Sequence, residues 1–167
     1  MAVRVRAADH SDVPALGFSD AADGALVEYL RHWVFLAAIG DAEVLVAESG
    51  DGAPVIGRVV VDLARGQVLA LEVDTAHRRT GVGRALMLAA QDAGLVRGHR
   101  RLTLLVEVDN AGARAFYASV GWQDDGEELS EALTSADGAV VQAPFRCRRL
   151  VLDLSPPPRR PAPPRRG

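Results

Sequence analysis

The chain has 167 residues, 49% of them hydrophobic and 25% charged, which bounds it to about one soluble globular domain with a real core. All nineteen basic residues are arginine, so Walker-type phosphate loops and lysine Schiff-base chemistry are excluded, and the single cysteine, Cys147, leaves no intrachain disulfide or zinc-site spacing. The net charge of −3 includes four arginines and no acid in the last twelve residues, PPPRRPAPPRRG, which leaves about −7 on the body and argues against nucleic-acid binding.

In chain order, VRVRA (Val3–Ala7) alternates and reads as a first strand. A helix follows, with Ser11 as its N-cap and Pro14 in its first turn. A second helical stretch spans Ala21–Ile39 and carries Trp33 and Phe35, either core residues or the lining of a substrate pocket. EVLVAE (Glu43–Glu48), VIGRVVVDL (Val55–Leu63) and VLALEV (Val68–Val73) read as strands of an antiparallel meander, because their links are short. Val82, Ala85, Leu86, Ala89, Ala93 and Val96 then fall at helical spacing, with Gly98 as the stop. RLTLLVEV (Arg101–Val108) is a strand, and Val68–Val108 should form a parallel strand–helix–strand crossover. Ala113, Phe116, Tyr117 and Val120 mark a last helix between an Asn110 cap and Gly121. One late strand starts near Trp122 and another lies in FRCRRLVLDL (Phe145–Leu154). The acidic run DDGEELSE (Asp124–Glu131) reads as a solvated loop or as an attractor of cationic amines. Residues 1–155 make one domain, and the Pro/Arg-rich tail 156–167 is expected to be disordered. The N-terminus lacks an apolar signal core and no run approaches the roughly 18 residues of a membrane span, so a cytoplasmic chain without membrane partners is expected.

The stretch HRRTGVGRAL (His77–Leu86) sits between a strand and a helix. The first turn of a helix leaves N–H groups unpaired and carries partial positive charge. Gly81 and Gly83 permit close backbone approach, and Arg78, Arg79 and Arg84 add formal charge. A dinucleotide fingerprint would need a glycine where Leu86 stands, so the turn is suited to a pyrophosphate by itself.

Arg78, Gly81 and Gly83 match the R/Q-x-x-G-x-G/A signature of the GNAT superfamily of N-acetyltransferases, which the chain resembles over Val68–Trp122. VEVDNAGARAFYASVGW resembles the family's second half through Asn110, Ala113, Phe116, Tyr117, Gly121 and Trp122. The resemblance implies an α+β fold: a mixed, mostly antiparallel sheet of about seven strands flanked by about four helices. It implies acetyl-CoA as co-substrate, with no metal, lying between the fourth and fifth strands. Leu71 and Val73 would pair with the pantetheine arm, and Arg79, Thr80, Gly81, Val82, Gly83 and Arg84 would hold the pyrophosphate beside Arg78. Asn110 and Ala113 would lie near the arm, and Tyr117 would protonate the departing thiolate.

An alkylammonium with a pKa near 10.4 needs about 4.6 kcal/mol for deprotonation at pH 7, whereas an α-amine needs only about 1.4 kcal/mol. A general base is therefore needed for one acceptor class and optional for the other. Glu72 and Glu107 are the candidates taken forward, with Asp109 beside them; where some relatives place a glutamate, this chain has Leu105. The expected reaction moves acetyl from acetyl-CoA to a small-molecule primary amine by direct attack in a ternary complex. The alternatives are a protein N-terminal or side-chain acceptor and a non-catalytic acyl-CoA-binding module. A homodimer is compatible with such folds.

Overall fold

The computed structural model describes residues 2–18, 24–134, 138 and 140–154. The tail 156–167 and the start of the expected helix at Ala21 lie outside the described residues. Strands β1 (Arg4–Ala7), β2 (Ala42–Glu48), β3 (Val55–Asp62), β4 (Gln67–Val73), β5 (Arg101–Glu107), β6 (Gln123–Leu129) and β9 (Arg146–Asp153) form one sheet in the order β1-β2-β3-β4-β5-β9-β6. All neighbours are antiparallel except β4 and β5, which are parallel and joined through helix α2 (Val82–Arg97). The short links between β2, β3 and β4 leave room only for hairpins, whereas the helix in the β4–β5 link permits the crossover. A two-stranded hairpin, β7 (Leu133–Thr134) with β8 (Val140–Gln142), has no counterpart in the sequence reading.

Each sheet face buries a different part of the chain. On one face, Val59, Val61, Leu102 and Leu104 pack under Val82, Leu86, Met87 and Ala90 of α2, with helix α3 (Ala111–Ser119) alongside. On the other, Val44, Val46 and Val60 pack under Leu30 and Val34 of helix α1 (Gly24–Ala38). This division follows the two-residue period of the strands. No helix among the described residues is long and apolar enough to cross a membrane.

Two local expectations change. The first helix is a 3-10 segment, His10–Ala15, and its cap is Asp9 rather than Ser11. Asp9 accepts from the Ser11 N–H at 2.8 Å, Asp12 reaches back to the Asp9 N–H at 2.9 Å, and Arg6 grips both oxygens of Asp12. Those Arg6 hydrogen bonds hold the Asp12 carboxyl below its ordinary range. The acidic run is not a loop for most of its length: Asp124–Leu129 belongs to edge strand β6, and its carboxylates face arginines of β9. Asp124 pairs with Arg148, Glu127 with Arg146 and Arg148, and Glu128 with Arg149. A charged, cross-paired edge resists further strand addition.

Candidate active site

The site begins with a parting of strands. The β4–β5 register holds one parallel pair, Gln67 with Thr103, and beyond it the two strands diverge. Within β4, Ala70 adopts φ +50°, a left-handed conformation, and the β3–β4 register shifts between Arg58 and Val60. This bulge resets the side-chain phase. Val68 packs toward α2, Leu69 and Ala70 pack toward α1, and Leu71 and Val73 return to the α2 face. Strict alternation from Val68 would have sent Glu72 to the α2 side. The bulge instead delivers Glu72 to the α1 side, into a cleft of about 910 Å³.

The chain then turns through a 3-10 segment, Thr75–His77, into Arg78–Gly81. Arg78 donates through Nε to the Val73 carbonyl at 3.2 Å, the Thr80 hydroxyl donates to the His77 carbonyl at 2.6 Å, and His77 Nδ1 lies 2.6 Å from Asp74. Arg79 has φ +64°, and Gly81, the N-cap of α2, has φ +92° and offers no side-chain cap. Arg78, Arg79, Thr80, Gly81 and Arg84 are exposed, while the Val82 side chain is fully buried beneath them. The first N–H groups of a sixteen-residue helix thus lack a side-chain cap and lie among three exposed arginines, with the macrodipole adding to the field. That combination fits a pyrophosphate. Gly83 has an additional role: a Cβ there would lie 3.3 Å from Phe116 and 3.8 Å from Val73, so it also permits close packing of α2 against α3 and β4.

Helix α3 starts differently. Asn110 accepts from the Ala113 N–H at 3.0 Å, so the donor of Ala113 is spent on the cap, and the Ala113 side chain packs against the main core. Tyr117, half-buried in the same core, meets Phe116 at 5.3 Å and Trp122 at 6.3 Å between ring centroids. Burial pushes its phenol up to about 12, which keeps it protonated at neutral pH and able to donate.

In the cleft, Glu72 pairs with Arg58 at 2.6 Å. Arg58 is 3% exposed; it donates to the Leu16 carbonyl and lies 5.4 Å from the Phe18 ring centroid. Burial lowers its pKa, and the charge of Glu72 opposes that shift. Sequence reasoning misses Arg58, although a charge in the middle of the apolar stretch VIGRVVV is a usable signal. Leu105 lines the cleft, whereas Glu107, two residues further along the same face of β5, is exposed and outside the lining, as is Asp109. Trp33 lines the cleft, but Phe35 points elsewhere, 61% exposed, into a separate surface depression near β1 and β2. Cys147 is buried on β9, its thiol donating to the Glu128 carbonyl at 3.2 Å and pushed up by burial, which removes it as a nucleophile.

A parted parallel strand pair leading into an uncapped, arginine-rich helix start, with a cleft on the opposite sheet face, defines the acyl-CoA N-acyltransferase fold. The chain belongs to the Acetyltransferase (GNAT) family, whose family model matches residues 11–122. It is 41% identical over 80 residues to mycothiol acetyltransferase of Beutenbergia cavernae, a match that spans 47% of this chain and 27% of that protein. Among solved structures it is similar to the ribosomal-protein-S18-alanine N-acetyltransferase of Escherichia coli, with TM-score 0.68 and 19% identity over 93% of this chain and 96% of that one. It is equally similar to yncA of Salmonella typhimurium, solved with its cofactor acetyl-CoA, with TM-score 0.67 and 20% identity over 99% of each chain. At these identities the likeness establishes the fold.

Proposed function

We propose that the chain is an acetyl-CoA-dependent N-acetyltransferase that acts on a small-molecule primary amine within a ternary complex. The observation that carries this reading is the continuity of the free β4 edge beyond Gln67 with the uncapped start of α2. One offers backbone groups to an extended amide-bearing arm; the other offers N–H groups and arginines to a pyrophosphate. The arm would leave the pyrophosphate at their junction, near Val73, and run back along β4, so the thioester of acetyl-CoA would lie at its far end, toward Leu71 and the cleft that holds Glu72.

Acetyl-CoA supplies the acetyl group as a substrate. The chain's own groups do the rest. Backbone N–H groups of Leu71–Val73 orient the thioester carbonyl, and those of Val82–Arg84, with Arg78, Arg79, Thr80 and Gly81 around them, hold the pyrophosphate. The amine nitrogen attacks the carbonyl carbon from the cleft side and the C–S bond breaks. Glu72 receives the proton lost by nitrogen, directly or through one water, and Tyr117 gives its phenolic proton to the sulfur. Glu107, exposed and outside the cleft lining, is the weaker candidate for the base. A cytoplasmic setting suits a chain whose one thiol is unpaired.

Tyr117→Phe tests the reading. Its kcat should fall about 100-fold, with acetyl-CoA affinity by calorimetry unchanged within about twofold. Unchanged kcat removes Tyr117 from the chemistry, and an absence of acetyl-CoA binding to the native chain removes the transferase reading altogether. The neutral phenol is the active form, and burial raises its pKa from 10.0 to about 12. The kcat profile should therefore show no alkaline limb from Tyr117 up to about pH 10.

A further inference from the structure

The acceptor cleft is built for one kind of amine. Its apolar wall comes from three elements: Tyr29 and Trp33 of α1, Leu69 of β4 and Leu105 of β5, with Phe145 closing the wall just before β9. All five are half-buried, so each has apolar surface left to cover. Tyr29 and Trp33 meet edge to face at 6.1 Å, which fixes their rings against each other. A volume of about 910 Å³ lies within the ordinary range of small-molecule sites.

The charges of the lining point the same way. Four carboxylates, Asp62, Glu72, Glu128 and Glu131, share it with two guanidinium groups, Arg58 and Arg65. Each guanidinium is already set against one of those carboxylates: Arg58 against Glu72 at 2.6 Å, and Arg65 against Asp62 at 3.8 Å. Arg58 has almost no surface to offer a ligand, and its Nε, which has no partner, is also closed to solvent. Arg65 is 72% exposed, where its charge is screened by water. Among the described lining residues, then, no buried cation is free to take a carboxylate or phosphate on the acceptor; Glu128 is itself paired with Arg149 outside the lining, so the one carboxylate in excess is the exposed Glu131.

We infer that the acceptor is a primary amine on an aromatic or branched apolar body, carrying no acidic group. This rests on the transferase reading of the same site. The ammonium is drawn toward Glu72 and the apolar body is desolvated against Trp33, Tyr29 and Phe145. An α-carboxylate beside the amine would enter the cleft opposite Glu72 with no free partner.

The test compares 2-phenylethylamine, phenylalaninamide, phenylalanine and spermidine as acceptors, with thiol release as the readout on the full chain. The first two should exceed phenylalanine in kcat/KM by at least about tenfold, and 2-phenylethylamine should exceed spermidine by a similar factor. Equal or better turnover of phenylalanine, or of spermidine, overturns the inference. Binding of the same four compounds is also measured by calorimetry, which needs no turnover and should give the same order. A chain that fails to bind acetyl-CoA but keeps that order of amine binding disproves the transferase reading alone. Loss of the order in both measurements disproves the inference about the acceptor.

Discussion

Helices α2 and α3 begin in opposite ways. Both face the same problem, a first turn of N–H groups with no intrahelical partner. At α3 the chain solves it internally: Asn110, at φ −82°, turns its side-chain oxygen onto the Ala113 N–H. At α2 it leaves the problem open: Gly81 has no side chain to turn, and Arg79 just before it sits in a left-handed conformation. Backbone strain follows the same division. Among the described residues, the three non-glycine residues with positive φ are Phe18, Ala70 and Arg79. Phe18 lies against Arg58, a residue of the cleft lining, Ala70 forms the β4 bulge, and Arg79 lies in the anion turn. The start of α3 carries none. Unsatisfied donors and strained backbone therefore coincide where the ligands are proposed to bind, and the self-satisfied helix start is scaffold.

The largest expected effect comes from filling the open start with charge. Gly81→Asp and Gly81→Asn both tolerate the left-handed conformation better than other side chains do, and a Cβ at this position meets nothing within 4 Å. The two differ by a negative charge beside the α2 N–H groups. Acetyl-CoA affinity by calorimetry should be about 100-fold weaker for Asp than for Asn. Equal affinities would mean that the pyrophosphate lies elsewhere. A smaller effect is expected at the closed start. Asn110→Ala removes the cap and should lower unfolding stability by about 1 kcal/mol, with acetyl-CoA affinity nearly unchanged. A large loss of affinity without loss of stability would give Asn110 a direct ligand role and break the contrast.

Parts of this contrast can be read from residues alone. Gly81 stands where a left-handed N-cap requires glycine, and Asn110 stands three residues before the donor it caps, so both helix starts were legible. The β4 bulge was not, because VLALEV reads as an unbroken apolar strand and alanine carries no signal for positive φ. The strand character of Asp124–Leu129 was equally hidden. Its stability comes from Arg146, Arg148 and Arg149 across the sheet, some twenty residues away, and local composition does not encode that pairing. Trp33 and Phe35 show the reverse case. Two residues apart on a helix they point roughly 200° apart, so geometry alone forbids both from lining one cleft. The cleft itself draws on α1, β3, β4, β5 and the segment between β6 and β9, and only the folded sheet brings these together.

The smallest expected effect tests whether strain at the site is tolerated for geometry or serves some other end. Ala70 needs φ +50° so that Glu72 reaches the cleft while Leu71 and Val73 keep their places under α2. An L-residue in this conformation costs about 1–2 kcal/mol, and glycine in its place costs about 0.5–1 kcal/mol in backbone entropy. Ala70→Gly should therefore raise stability by about 0.5 kcal/mol in denaturant unfolding, with kcat/KM unchanged within about twofold. The two terms nearly offset because the bulge is enforced by its neighbours: β3 pairs on both sides of it, at Glu72 and at Leu69, so the backbone path is fixed whichever residue occupies it. A loss of more than about 1 kcal/mol would show that the Ala70 methyl is needed in the α1-side core, and that packing, rather than strain, governs where Glu72 points.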